Sequence, residues 1–138
     1  EAEKMEDINI HLQKKYKSIQ ENEVRYETIN VDDADIVIVA FGLAARVAHK
    51  AMEIANEAGL KVGLIRPITL FPFPTDYIIA TSQNAKKMLV VEMNAGQMLE
   101  DVRLAVNGKI PVEFYGRMGG VIPQPSEIVE KLKSIKNP

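Results

Sequence analysis

Four short stretches carry the residue types that could do chemistry, and each combines a charged or amide side chain with glycine or proline. "FGLAAR" joins Gly42 to Arg46, with Ala44 and Ala45 between them. A strand followed by Gly and a helix start offers free N–H groups and a positive dipole end to an anion. The stretch is neither G-x-G-x-x-G nor a Walker loop, so the dinucleotide fingerprint is absent and a tight turn with close helix packing is the plainer reading. "RPITLFPFP" places Arg66 before Pro67, then Phe71, Phe73 and two more prolines. "VEMNAGQM" contains Glu92, Asn94, Gly96 and Gln97. Glu92 could serve as a general acid or base if a second titratable group stood opposite it, or as an ion-pair partner for Arg66. Asn94 and Gln97 have the spacing of a reciprocal helix cap, with Gly96 inside the first turn as a point of close approach for a backbone or ligand. "YGRMGGVIPQP" surrounds Arg117 with Gly116, Gly119 and Gly120, giving either an anion-holding nest or an interface loop. The two histidines, His11 and His49, are distant in sequence and fit no metal pattern.

These stretches fall at the ends of a regular series of elements. "EVRYETI" (23–29), "DIVIVAF" (35–41), "KVGLIR" (61–66), "KKMLVVEM" (86–93) and "PVEFYG" (111–116) read as strands. The β-branched run at 35–41 has the continuous apolar character of a strand covered on both faces. Helices are expected over 43–58, with an apolar face at Leu43, Val47, Ala51, Ile54, Ala55 and Ala58, and over 75–82, 96–106 and 125–135. Gly59 and Asn107–Gly108 mark helix stops, Pro74 and Pro125 mark starts, and Asp76 suits a positive helix end. Strand–helix alternation implies parallel strands joined by right-handed crossovers. The expected fold is a three-layer α/β/α sandwich around a mostly parallel sheet of about five strands. Ligands and partners of such a sheet meet the carboxyl ends of its strands, where all four stretches lie.

Residues 1–23 differ from this body. Charges of both signs surround a sparse stripe of Met5, Ile8, Leu12, Tyr16 and Ile19. This reads as an amphipathic linker helix or a frayed tail ahead of an α/β domain over 24–138.

Composition narrows the function classes. A net charge of -2 with 26 % charged residues provides no basic footprint for nucleic acid or an anionic membrane. No apolar run approaches the ~18 residues of a membrane span. With 0 cysteines, disulfides, thiolate metal sites and iron–sulfur ligation within this sequence are excluded. A cytoplasmic location is the default expectation. The first residue is Glu1 rather than Met, as in a processed chain or a piece of a longer one.

In order and spacing, "ADIVIVAFGLAAR", "KVGLIRPITLFPFP", "LVVEMNAGQM" and "EFYGRMGG" resemble the alpha subunit of 2-oxoacid:ferredoxin oxidoreductases. The matching region, from about Tyr26 onward, is its second domain, which is similar to the transketolase C-terminal domain. Leu43 departs from the small Ser or Thr of many relatives, which weakens an anion site at the first loop. The resemblance implies an enzyme that decarboxylates a 2-oxoacid on thiamine diphosphate, passes electrons through iron–sulfur clusters to ferredoxin, and forms acyl-CoA. It implies no catalytic, cofactor-binding or metal-binding residue in this chain. Thiamine diphosphate, Mg and the clusters are expected in the intact complex. The expected partners are the rest of the alpha subunit and the beta and gamma or delta subunits, and the expected role is assembly and shaping of the active site. The rival reading from the residues alone is a free-standing α/β domain that binds a small anion or nucleotide at the strand ends. A stand-alone structural partner protein is a third.

Overall fold

The computed structural model describes residues 1–136. Strands β1 (Tyr26–Ile29), β2 (Ile36–Ala40), β3 (Val62–Pro67), β4 (Lys87–Glu92) and β5 (Val112–Gly116) form one sheet in the order β1-β3-β2-β4-β5. Helices α1 (Ala2–Asn22), α2 (Gly42–Glu57), α3 (Thr75–Thr81), α4 (Met98–Val106) and α5 (Pro125–Lys136) complete the chain. Strands β2 to β5 run parallel, whereas β1 pairs antiparallel with β3 at one edge. The antiparallel edge departs from the all-parallel pattern that alternation suggests. β1 and β2 are joined without a helix, so no crossover constrains them to run the same way.

Alternation along the buried strands builds two cores. In β2, Ile36, Ile38 and Ala40 face α2 and α5, while Val37 and Val39 face α3 and α4. The buried face of α2 is Ala44, Ala45, Ala48, Ala51, Met52 and Ala55. This corrects the expected stripe: Leu43 and Ile54 are exposed, and alanines bring the helix close to the sheet. Gly59, at φ 82, ends the helix in the left-handed region. The Asn56 amide then clamps the next strand, donating to the Val62 carbonyl at 3.0 Å and accepting from its N–H at 2.8 Å.

Chain order places the loops. From β2 the chain crosses to β3 on one side, then returns past β2 to β4 and continues outward to β5. Thus β2 separates β3 from β4, and the proline segment does not lie beside Glu92 or the Gly116–Gly120 loop. α1 has no buried residue; Leu12 and Ile19 are half-buried, and Met5, Ile8 and Tyr16 are exposed. No helix among the described residues is long and apolar enough to cross a membrane.

Gly63 shows how tightly the edge is closed. A Cβ there would stand 2.7 Å from the Asn30 carbonyl oxygen and 2.9 Å from the Val31 Cα. Both obstacles are backbone, which cannot swing aside. Gly63→Ala is expected to lower the unfolding free energy by about 1–3 kcal/mol in urea titration.

Candidate functional site

Glu92, the last residue of β4, is fully buried. An isolated buried carboxylate is costly, so its partners decide its role. Its Oε1 accepts from Met98 N at 2.9 Å and from Asn94 Nδ2 at 3.1 Å, and its Oε2 accepts from Leu99 N at 3.0 Å. Met98 and Leu99 open α4, whose first N–H groups have no partner within the helix. Glu92 is therefore the cap of α4, supplied from the adjoining strand and favoured by the helix dipole.

Three expectations for this stretch change as a result. Arg66 pairs with Glu27, its direct cross-strand neighbour, through Nη1 and Oε2 at 2.7 Å, and not with Glu92. The intervening β2 keeps Arg66 and Glu92 apart. The Asn94–Gln97 cap is one-sided: Asn94 Oδ1 accepts from Gly96 N at 2.7 Å and Gln97 N at 3.1 Å. Gly96 lies before α4 at φ 106, not inside its first turn, and its close neighbour is the Leu99 side chain, 3.0 Å from a hypothetical Cβ. That approach is internal to the domain.

The fourth loop is held equally firmly at its base. Gly116 allows the Asn94 carbonyl oxygen to come within 2.5 Å of where a Cβ would be. Arg117 Nη1 donates to Glu127 Oε1 at 2.7 Å, and Gln124 N donates to Glu127 Oε2 at 2.7 Å. Glu127 thus performs the backward half of a capping box on α5. The Gln124 N–H, opposed by burial and aided by Tyr115 and Arg117, holds the Glu127 carboxyl below its usual range. Arg117 is committed to this pair rather than presented to an anion. Gly119 and Gly120 take left-handed φ values of 67 and 83 at the loop tip.

The proline segment is tied back to the chain ahead of β1. Arg25 N donates to Thr69 Oγ1 at 3.0 Å, and Ile68 N and Thr69 N donate to the Arg25 carbonyl at 2.9 and 3.1 Å. Thr69 Oγ1 donates in turn to the Pro72 carbonyl at 2.7 Å. Pro67, Pro72 and Pro74 are buried. Phe73 is half-buried against the α3–α4 core, whereas Phe71 is 60 % exposed. At the first loop, Gly42 opens α2 at φ 57 and Arg46 is exposed.

The carboxyl rim is thus chemically quiet but apolar. Every buried polar side-chain atom among the described residues has a partner. No three His, Asp or Glu residues converge among them. Leu43, Ile68, Leu70, Phe71, Met118, Val121 and Ile122 nevertheless stay exposed on the loops after β2, β3 and β5. The spacing rules found the polar residues of the rim and Phe71, but not Ile68, Leu70, Met118, Val121 and Ile122, because single exposed Leu, Ile, Val or Met residues carry no motif.

Residues 34–128 match the family described as pyruvate:ferredoxin oxidoreductase core domain II. The ketoisovalerate oxidoreductase subunit VorB of Methanothermobacter thermautotrophicus is 47 % identical over 133 residues, 96 % of this chain and 38 % of the relative. The 2-oxoglutarate synthase subunit KorA of Methanothermobacter marburgensis is 37 % identical over 105 residues, 76 % of this chain and 28 % of the relative. A solved 2-oxoglutarate:ferredoxin oxidoreductase from Magnetococcus marinus, with 2-oxoglutarate, coenzyme A and succinyl-CoA bound, superposes with a TM-score of 0.75 at 29 % identity over 86 % of this chain and 21 % of that one. An inactive split-gene transketolase tetramer shares the fold at a TM-score of 0.67 and 15 % identity, over 80 % of this chain and 40 % of that one. The chain spans well under half the length of these relatives.

Glu92→Gln tests the cap directly. It would set an amide donor against an N–H that the carboxylate now satisfies. The variant is expected to lose about 2–4 kcal/mol of unfolding free energy in urea titration, the range for a charge-assisted bond lost plus a donor left buried.

Proposed function

Because this chain belongs to the pyruvate:ferredoxin oxidoreductase core domain II family, we propose that it works as a docking domain inside a 2-oxoacid:ferredoxin oxidoreductase. That enzyme oxidatively decarboxylates a 2-oxoacid to an acyl-CoA and reduces ferredoxin. The domain's part is to seat the other subunits of the complex and the rest of its own subunit and to shape the active site, without a catalytic step of its own. The observation that carries this reading is the rim itself: its buried polar side-chain atoms are satisfied within the domain while large apolar residues face outward. A branched 2-oxoacid of the 2-oxoisovalerate type is the proposed substrate. The match to the ketoisovalerate subunit runs over more of the chain, and at higher identity, than the match to the 2-oxoglutarate subunit.

The described residues do not fit thiamine diphosphate or its Mg. The one fully buried carboxylate among them, Glu92, uses both oxygens on its own helix and loop, and no group of three carboxylates or histidines able to hold a metal forms among the described residues. Iron–sulfur ligation would need cysteines that the sequence does not contain. No step on these groups is assigned to this chain. Loops after strands β2, β3 and β5 offer a stiff apolar wall against which neighbouring subunits could order a site of their own.

Leu43→Asp in the assembled enzyme is the test. Leu43 is exposed in the domain, so folding should be unaffected within about 0.5 kcal/mol. Assembly on size-exclusion chromatography and 2-oxoisovalerate-dependent, CoA-dependent ferredoxin reduction should both fall about tenfold or more. Full assembly and activity in that variant, or tight thiamine diphosphate binding to the isolated chain by calorimetry, would contradict the reading.

A further inference from the structure

A cleft of about 830 Å³ opens between the C-terminal end of α1 and the proline segment. Val24, Tyr26, Leu70, Phe71, Phe73 and Tyr77 provide its apolar lining. Its walls are set before anything enters. The Arg25–Thr69 hydrogen bonds fix the chain leaving α1, the Tyr26 and Tyr77 rings lie 4.4 Å apart, and Tyr16 meets Phe71 edge-on at 6.0 Å. Through that last contact the cleft continues onto the exposed stripe of α1, from Tyr16 back to Met5. At 1.5 Å per residue this adds roughly 17 Å of apolar track. A track of that shape suits a length of polypeptide better than a compact metabolite.

The charge around the cleft has a definite sign. Glu21, Asp76 and Asp101 line it, against Lys17 alone. Lys17 and Glu21 approach each other only to 3.9 Å and are both well exposed. Asp76 and Asp101 have no ion-pair partner among the described residues. Burial, with Glu100 and Glu92 nearby, pushes the Asp101 carboxyl above its usual range, and a cation placed beside it would relieve that cost.

We propose that this cleft receives an extended or helical segment of a neighbouring polypeptide in the assembly. An aliphatic or aromatic side chain of that segment packs on Phe71 and Phe73, and an adjacent Arg or Lys pairs with Asp76 and Asp101. The proposal rests on the reading that the domain works inside a multisubunit enzyme, but it names a surface separate from Leu43.

The test uses the purified assembled enzyme with a photo-crosslinker, Gln20→p-benzoylphenylalanine, on the cleft wall, and a second preparation carrying it in place of Leu43. Irradiation and peptide mass spectrometry should join position 20 to a peptide of a different polypeptide of the assembly, with an Arg or Lys within a turn of its apolar anchor. Asp76→Asn combined with Asp101→Asn should lower that crosslink yield about threefold or more at low ionic strength, as should added salt on the unchanged acids. Crosslinks from position 20 confined to this chain, with position 43 still capturing a partner, would overturn the cleft proposal and leave the docking reading standing. Capture at neither position would overturn both. A yield insensitive to both salt and the double substitution would overturn the pairing with Asp76 and Asp101.

Discussion

A fully buried carboxylate at the end of a central strand must be compensated within a few ångströms, and the carboxyl side of this domain is arranged around that requirement. Glu92 draws the first N–H groups of α4 onto its two oxygens and recruits the Asn94 amide to the same point. Three charge-assisted hydrogen bonds, each contributing roughly 1.5–3 kcal/mol, offset the desolvation. The geometry propagates outward. Holding α4 this close bends the intervening loop through the Asn94 turn and the left-handed Gly96, and brings the Asn94 carbonyl against β5, where only Gly116 leaves room. Beyond Gly116, the Arg117–Glu127 pair fixes the next loop to α5.

The same compensation defines what the rim can do. Glu92, Arg66 and Arg117 are each committed to a partner within the domain, whereas Arg46 stays exposed on α2. Large apolar side chains are exposed beside it, after β2, β3 and β5. Removing such exposed apolar area from water gains roughly 25 cal/mol per Å². The family match is consistent with this division of labour, since the relatives carry far more chain than this domain supplies.

The body of the fold was readable from local pattern because its elements are driven by local pattern. The β-branched run at 36–40 and the apolar run at 88–91 read as covered strands, and Gly59, Asn107 and Pro125 punctuate helices through φ preferences that act within one or two residues. Contacts between distant segments were less legible. Arg66 is opposite Glu27 because β1 runs antiparallel, and nothing within either strand encodes that direction. Glu92 was visible as a charged residue at a strand end, but its role depends on where α4 starts, two residues later than periodicity suggests. The buried face of α2 was legible only in part, at Ala51 and Ala55, because alanine adds little to a periodic signal, yet it permits the closest packing.

The central claim is that Glu92 binds the first turn of α4 as part of the sheet. Residue-resolved amide hydrogen exchange of the folded chain tests it at Met98 and Leu99. Helix-start amides without such a partner exchange by local fraying. If Glu92 holds them, Met98 and Leu99 should exchange as slowly as the core amides of β4, through global unfolding. Exchange at these two positions as fast as at the exposed start of α1 would contradict the account.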